Sequence, residues 1–136
     1  MVDPAMKKIL IVDDEPDHVY IVEEQLRLSG YQTLSASDGQ EGLRLAKEIQ
    51  PALIILDLNL PKLSGLEVCR AIREDRDETF KRTPFSYTPI VMLTGNSGET
   101  DRIIGNVLGA DDYLVKPFKS DVFLSKVKEL FSANRS

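Results

Sequence analysis

The stretch Ile9-Leu10-Ile11-Val12-Asp13-Asp14 joins an uninterrupted apolar run to two adjacent carboxylates. Four consecutive Ile, Leu and Val side chains are typical of a strand that is buried on both faces, as in a parallel sheet. The same arrangement recurs in Leu53-Ile54-Ile55-Leu56-Asp57, in Ile90-Val91-Met92-Leu93-Thr94 and in Tyr113-Leu114-Val115-Lys116. These four runs predict the buried strands of one sheet, each ending in a polar side chain.

Segments with helical periodicity separate these runs. They extend from Pro16 to Ser29, from the predicted N-cap Asp38 towards Pro51, from Ser64 onwards, up to Gly109, and from about Ser120 onwards. A weaker run, Gln32–Ala36, supplies one more strand. Strand and helix therefore alternate five times, which predicts an α/β fold: a doubly wound five-stranded parallel sheet with five helices on both faces.

Length and composition restrict the class of protein. The chain has 136 residues and a net charge of −5 at pH 7, which favours one domain and disfavours a direct nucleic-acid-binding surface. No apolar run approaches the ~20 residues of a membrane span, and no signal-peptide pattern is present. Cys69 is the sole cysteine, so we interpret it as a packing residue and expect a reducing, cytoplasmic location.

The polar residues at the strand ends point to a shared site. In open α/β sheets, ligands bind outside the carboxyl ends of the strands, where the strand order reverses. With the order 2-1-3-4-5, Asp13, Asp14 and Asp57 would converge there, flanked by Thr94 and Lys116. Three neighbouring carboxylates repel one another, so we expect Lys116 and a hard divalent cation such as Mg²⁺ to offset their charge.

Such a site suits phosphoryl transfer to a carboxylate. An aspartate can act as the nucleophile and form an aspartyl phosphate, and the reaction needs mainly positioning and neutralisation of charge. Asp57 is the best candidate nucleophile because it alone ends the middle strand, whereas Asp13 and Asp14 resemble metal ligands.

The chain resembles the CheY-like receiver domain of bacterial two-component response regulators. The resemblance covers about Lys7 to Phe131 and, through the fold of that family, implies the flavodoxin-like strand order 2-1-3-4-5. The matching segments are Ile9–Glu15, Leu56–Pro61 with Gly65, Met92–Gly95, and Gly109–Phe118. The resemblance implies a phosphoacceptor switch that receives its phosphoryl group from a histidine kinase or a histidine phosphotransfer protein and is not a turnover enzyme.

The resemblance also implies a role for each site residue. Asp57 would be the phosphoacceptor. Asp13 and Asp14 would hold Mg²⁺ together with Asp57 and the backbone carbonyl of Asn59. Lys116 would pair with the phosphoryl oxygens.

Two further residues would transmit the signal. Thr94 would turn its hydroxyl towards the phosphoryl group and Tyr113 would swing inwards behind it, remodelling the surface of the fourth helix, fifth strand and fifth helix for a downstream target. Pro61 and Gly65 would shape the loop after the phosphoacceptor, Gly65 through its tolerance of unusual backbone angles. Lys116-Pro117 resembles the cis peptide of the family.

The connection from Glu74 to Thr88 is longer than the family pattern. It contains Phe80, Phe85 and Tyr87, which could anchor a partner, and a tolerated surface insertion is the alternative reading. The expected domain spans residues 7–131, between a disordered or expression-derived segment 1–6 and a C-terminal tail 132–136. The sequence fits a single-domain regulator and also a receiver that is part of a longer protein.

Two other functions fit the same residues. A magnesium-dependent phosphohydrolase would also use an aspartyl nucleophile, but Asn59 stands where its acidic partner is expected. A phosphorylation-independent adaptor would typically lack part of the acidic cluster, which is complete here. His18, the one histidine, lies near the acidic residues in sequence. We interpret it as a solvated surface residue, and the alternative is a residue that affects access of the metal or the phosphoryl group.

Overall fold

The computed structural model describes residues 7–75, 79–83, 86–95 and 109–133. Its main sheet contains five parallel strands, ordered β2-β1-β3-β6-β7. These are β1 (Lys8–Val12), β2 (Gln32–Ala36), β3 (Leu53–Asp57), β6 (Ile90–Thr94) and β7 (Asp112–Val115). Two short strands, β4 (Lys81–Thr83) and β5 (Ser86–Tyr87), form a separate hairpin. Without them the order of the main sheet is 2-1-3-4-5, so the predicted topology is confirmed.

Four helices lie within the described residues. They are α1 (Pro16–Leu28), α2 (Gly39–Ile49), α3 (Gly65–Arg73) and α4 (Ser120–Ala133). The fourth predicted helix, which precedes Gly109, falls on residues outside the described ranges, so α4 is the helix predicted as the fifth. Among the described helices, none has the length and apolar character to span a membrane.

The helices cover the sheet on both faces, and each face has its own apolar cluster. On one face, Leu10, Val12, Ile54 and Leu56 of the sheet pack with Ala46 of α2 and with Val68, Cys69 and Ile72 of α3. On the other face, Ile9, Ile11, Leu53 and Ile55 pack with Val22 and Leu26 of α1 and with Phe123 and Val127 of α4. Alternate side chains of one strand point to opposite faces, which explains why the apolar runs are continuous. Cys69 is buried in the first cluster, as predicted.

Local signals in the sequence account for the helix boundaries. The Asp38 side chain accepts a hydrogen bond from the Glu41 N–H at 2.7 Å and caps α2. Ser64 accepts one from the Glu67 N–H at 3.2 Å and caps α3. Helix α1 ends just before Gly30, whose φ of 95° favours glycine.

The long connection after α3 forms a short hairpin of β4 (Lys81–Thr83) and β5 (Ser86–Tyr87). The Phe80 side chain is 1% exposed and packs in the cluster that contains Ile72 and Ile90. The prediction that Phe80 is a surface anchor for a partner is therefore wrong, because its ring completes the core instead. Phe85 lies outside the described residues, and the description of Tyr87 is limited to its backbone.

Arg73 at the end of α3 ties this connection to the strand after it. Its guanidinium donates hydrogen bonds of 2.8 Å to the backbone carbonyls of Thr88 and Gly109 and to the carboxylate of Asp111. Asp111 in turn accepts from the Ile90 N–H at 2.7 Å. The insertion is thus anchored at the edge of the sheet opposite the acidic residues.

Candidate functional site

The predicted site residues lie together at the carboxyl edge of the sheet. Asp13 follows β1 directly, Asp57 is the last residue of β3, Thr94 is the last residue of β6 and Lys116 follows β7. The register pairs Val12 with Leu56, so the residues that come next in the two strands are neighbours. Parallel pairing thereby places distant parts of the sequence at one edge.

Three carboxylates meet at this edge. Asp13 is 2% exposed and Asp57 is 4% exposed, whereas Asp14 is exposed to solvent. One carboxylate oxygen from each of the three lies within 4.8 Å of the others. The predicted acidic cluster is therefore present, with two buried members and one that faces outwards.

Lys116 bridges the two buried carboxylates. Its Nζ donates a hydrogen bond of 2.8 Å to Oδ2 of Asp57 and one of 3.0 Å to Oδ2 of Asp13. The other oxygen of each carboxylate accepts a backbone N–H: that of Asn59 reaches Asp57 Oδ1 at 2.9 Å, and that of Glu15 reaches Asp13 Oδ1 at 3.0 Å. Each buried carboxylate is thus oriented by one backbone donor and one ammonium donor.

The burial of these groups changes their protonation equilibria. Desolvation raises the pKa of Asp13 above its usual value, and the nearby Asp57 charge adds to this, while the bonds from Glu15 and Lys116 oppose it. For Lys116, burial disfavours the charged form, but the bonds to Asp57 and Asp13 outweigh it and raise the pKa of its ammonium. Lys116 therefore stays protonated at neutral pH.

The donor set fits a hard divalent cation. The three carboxylates supply oxygen ligands within reach of one another, which is the chemistry that Mg²⁺ and Ca²⁺ prefer. Lys116 provides one positive charge to Asp13 and Asp57, so the cluster retains an excess of negative charge. A cation at this position would reduce the repulsion among the carboxylates.

Thr94 and Tyr113 lie on the strands that the sequence predicted for them. Thr94 is 3% exposed at the end of β6. Tyr113 is half-buried on β7 and packs against the apolar cluster on the side of α2 and α3. Neighbouring strands pair Met92 with Tyr113 and Thr94 with Val115, so Thr94 and Tyr113 lie on adjacent strands.

The loop after Asp57 approaches α3 closely. A Cβ atom at Gly65 would collide with the backbone carbonyl of Asp57, because Gly65 begins α3 directly against that strand end. Glycine is thus required by close approach and not, as expected, by an unusual backbone angle. The Pro61 carbonyl accepts the N–H groups of Leu63 at 2.8 Å and Gly39 at 3.3 Å, and the Lys116-Pro117 peptide is cis, as predicted.

A cavity of about 480 Å³ opens beside the phosphoacceptor candidate. Its lining includes Asp57, Asn59, Gly95 and Lys116 at one end, and it extends between α1 and the segment before α4. The lining also includes the apolar side chains of Ile21, Val22, Leu93, Pro117 and Phe118. This cavity could not be predicted from the sequence, because its walls come from elements that are distant in the chain.

His18 borders the site, in agreement with the alternative that the sequence left open. Its ring lies in the first turn of α1, with Nδ1 3.0 Å from Lys116 Nζ, and it lines the cavity. The side chain is 38% exposed, so His18 is partly solvated and also contacts the site. The sequence indicates this position, because α1 starts shortly after the carboxyl end of β1 and its first turn therefore lies beside the site.

Comparisons with known proteins agree with this geometry. Residues 9–128 match the family model described as the response regulator receiver domain. Among curated proteins, the chain is 43% identical over 124 residues to the alkaline phosphatase synthesis transcriptional regulatory protein PhoP of Bacillus subtilis, covering 91% of this chain and 48% of that protein. It is 36% identical over 132 residues to the DNA-binding response regulator MtrA of Mycolicibacterium smegmatis, covering 97% and 54%. The chain thus spans about half the length of these relatives.

Solved structures show the same fold. The chemotaxis protein CheY4 of Vibrio cholerae superposes with a TM-score of 0.81 at 33% identity, over 91% of this chain and 98% of that one. The receiver domain of the sensor histidine kinase PA1611 of Pseudomonas aeruginosa superposes with a TM-score of 0.77 at 31% identity, over 90% and 95%. The latter structure contains a magnesium ion coordinated in its active site cleft.

Proposed function

The chain belongs to the response regulator receiver domain family, and we propose on this premise that Asp57 is its phosphoacceptor. As a receiver domain it is a phosphoacceptor switch of two-component signalling. The observation that carries the assignment is the position of the Asp57 carboxylate. It is buried at the end of the middle strand of the sheet, 2.8 Å from an ammonium group and next to two further carboxylates.

The transfer is a displacement at phosphorus. An oxygen of the Asp57 carboxylate forms the new P–O bond while the bond from phosphorus to the donor's leaving group breaks, and the leaving group departs with that electron pair. Asp57 needs no general base, since an ionised carboxylate carries no proton to remove. The work left to the site is positioning and neutralisation of charge on the phosphoryl oxygens.

Lys116 and Thr94 supply donors for those oxygens. The Lys116 ammonium already touches Asp57, so a phosphoryl group on that carboxylate would lie within its reach. Thr94 ends the adjacent strand β6 and would offer its hydroxyl. A charged donor in a largely buried site interacts more strongly with an anion than it would in water.

The metal in this proposal is Mg²⁺. Asp13, Asp14 and Asp57 would hold it through carboxylate oxygens and Asn59 through its backbone carbonyl. When bound, Mg²⁺ supplies positive charge that lets a phosphoryl dianion approach the carboxylates. The donor chemistry supports this assignment, as does the magnesium ion in the related PA1611 receiver domain.

The output of the switch is assigned to Thr94 and Tyr113. A phosphoryl group would draw the Thr94 hydroxyl towards it, and the half-buried Tyr113 ring would move further in, behind Thr94. This motion would alter the surface formed by β7, α4 and the predicted helix before Gly109. A downstream target that distinguishes the two surfaces would read the phosphorylation state.

The partners and the setting are also proposals. A histidine kinase or a histidine phosphotransfer protein would donate the phosphoryl group, and the domain boundaries would be residues 7–131. We expect this segment to make no direct contact with nucleic acid, although two of its relatives are named a transcriptional regulatory protein and a DNA-binding response regulator.

A cytoplasmic location remains part of the proposal, as does a function without sustained turnover. The connection 74–88 remains a possible partner contact without Phe80.

Intact-mass measurement after incubation with acetyl phosphate tests the proposal. The wild-type chain should gain one phosphoryl group when Mg²⁺ is present and none when EDTA removes it. Asp57→Asn should gain none, whereas Asp121→Asn, a matched control at an exposed site on α4, should behave as wild type. Labelling that persists in Asp57→Asn would refute the assignment, and release of phosphate well beyond one equivalent per chain would favour a phosphohydrolase.

A further inference from the structure

His18 makes a contact that the proposed phosphotransfer leaves unused. Its Nδ1 atom lies 3.0 Å from Nζ of Lys116. The same Nζ is 3.0 Å from Asp13 Oδ2 and 2.8 Å from Asp57 Oδ2. An ammonium group has three N–H donors, so each of them has one acceptor in this arrangement.

The surroundings of the ring determine its tautomer. A lysine ammonium can only donate, so Nδ1 of His18 must accept and the ring proton must sit on Nε2. Nε2 lies 3.4 Å from a carboxylate oxygen of Glu15, an acceptor on the expected side of the ring. The two neighbours therefore favour the same tautomer, with Nδ1 directed at Lys116.

Phosphorylation would change two of the three acceptors of Lys116 but not the third. This step rests on the proposed function. Asp57 would become an acyl phosphate, and its carboxylate charge would move to the phosphoryl oxygens. Asp13 would share its charge with the metal. His18 takes part in neither event, so its bond to Lys116 is the one that can persist throughout the transfer.

We propose that His18 is a positioning residue, which acts through Lys116 by holding the ammonium group within hydrogen-bonding distance of the Asp57 carboxylate. Its side chain is 38% exposed and stands at the rim of the cavity, between solvent and the almost fully buried Asp13. Without an acceptor at this position, one N–H of Lys116 would turn to water in the cavity. The ammonium would then spend less time where the phosphoryl oxygens develop their charge.

Two substitutions separate this role from simple packing. His18→Leu keeps an apolar body of similar size and removes the acceptor. His18→Asn also removes the ring, but its amide oxygen can take the position of Nδ1 and so restores the acceptor. Tyr20→Leu, at an exposed position on the same helix, controls for changes in α1 that do not touch the site.

The measurement is the second-order rate constant for phosphorylation by acetyl phosphate at saturating Mg²⁺, followed by intact mass. We expect it to fall about three- to tenfold in His18→Leu, which corresponds to the loss of one net hydrogen bond, and to stay within about twofold of wild type in His18→Asn. The Mg²⁺ dissociation constant should stay within about twofold in all variants, because His18 is not assigned as a ligand. An unchanged rate in His18→Leu, or an equal loss in both variants, would overturn the inference.

A second readout does not depend on phosphorylation. In a chain labelled with ¹⁵N-lysine, the Lys116 ammonium should give a protected ¹H–¹⁵N signal in wild type and in His18→Asn, and that signal should weaken or vanish in His18→Leu. The same signal in all three would contradict the positioning role even if the chain accepted no phosphoryl group. A wild-type chain that shows the predicted signals but remains unlabelled would instead contradict the proposed function alone.

Discussion

Lys116 Nζ lies 2.8 Å from Oδ2 of Asp57, although 59 residues separate them in the chain. The contact exists because β3 and β7 flank β6 in the sheet, so their carboxyl ends reach the same edge. The ammonium also bonds to Asp13, which makes it the link between the two buried acids. The site is therefore a cluster with an excess of negative charge, in which adding or removing one charge should change the affinity for ions.

Replacing Lys116 with methionine should separate metal binding from phosphoryl transfer. Lys116→Met removes the positive charge shared by Asp13 and Asp57, so the Mg²⁺ dissociation constant should fall as electrostatic attraction for the cation rises. Phosphorylation by acetyl phosphate should nevertheless slow by at least about tenfold, because a donor to the phosphoryl oxygens is lost. Calorimetric titration measures the first quantity and intact mass the second.

Lys128→Met is the matched control, since Lys128 is exposed on α4. Both quantities should stay near their wild-type values in this variant. If Lys116→Met bound Mg²⁺ more weakly than wild type, the charge balance described here would be wrong.

The ring of Phe80 should be one of the larger single contributions to stability. Phe80→Ala would remove a fully buried side chain from the cluster between α3 and the sheet, at a cost of about 3–5 kcal/mol in the free energy of unfolding. Phe131→Ala, at a half-buried position on α4, should cost clearly less. Urea denaturation of the two variants and wild type gives the comparison, and equal losses would show that the insertion does not close the core.

Cys69 should make stability fall at alkaline pH. Burial raises the pKa of its thiol from 9.0 to about 11, so the unfolded chain ionises first as pH rises. The folded state then holds the extra proton, and the free energy of unfolding must decrease between about pH 9 and pH 11. The full decrease would be about 2–3 kcal/mol, from about 1.4 kcal/mol per pKa unit.

Cys69→Ala isolates this contribution. Tyr31 and Lys116 also have raised pKa values and titrate in both proteins, so they cancel in the difference. Denaturant midpoints measured from pH 8 to pH 11 should fall more steeply for wild type than for the variant. Parallel curves would mean that the thiol ionises as readily in the folded protein as in the unfolded chain.

The strands and the acidic site were predictable because the sequence encodes them locally. Continuous Ile, Leu and Val runs are typical of strands buried on both faces, and each run ends in the side chain that the parallel sheet then brings to one edge. The helix caps at Asp38 and Ser64 were predictable for the same reason, since a cap and its helix are adjacent in sequence. The family resemblance added roles for these residues that spacing alone leaves open.

The features that sequence reasoning missed depend on contacts between distant segments. Phe80 lies in a polar stretch that resembles an exposed loop, and its ring is buried only because α3 and β6 bring Ile72 and Ile90 against it. The contact of His18 with Lys116 spans 98 residues, so it is not visible in the local sequence. The need for glycine at position 65 arises from the approach of α3 to the Asp57 carbonyl, which no local pattern records.

The most direct test of the central claim is to locate the phosphoryl group on the chain. Borohydride reduces an aspartyl phosphate to homoserine, and peptide mass spectrometry then identifies the residue that carried it. After incubation with acetyl phosphate and Mg²⁺, we predict homoserine at position 57 and unchanged aspartate at positions 13 and 14. Homoserine at either of those two positions, or its absence from a chain that has gained phosphoryl mass, would contradict the account.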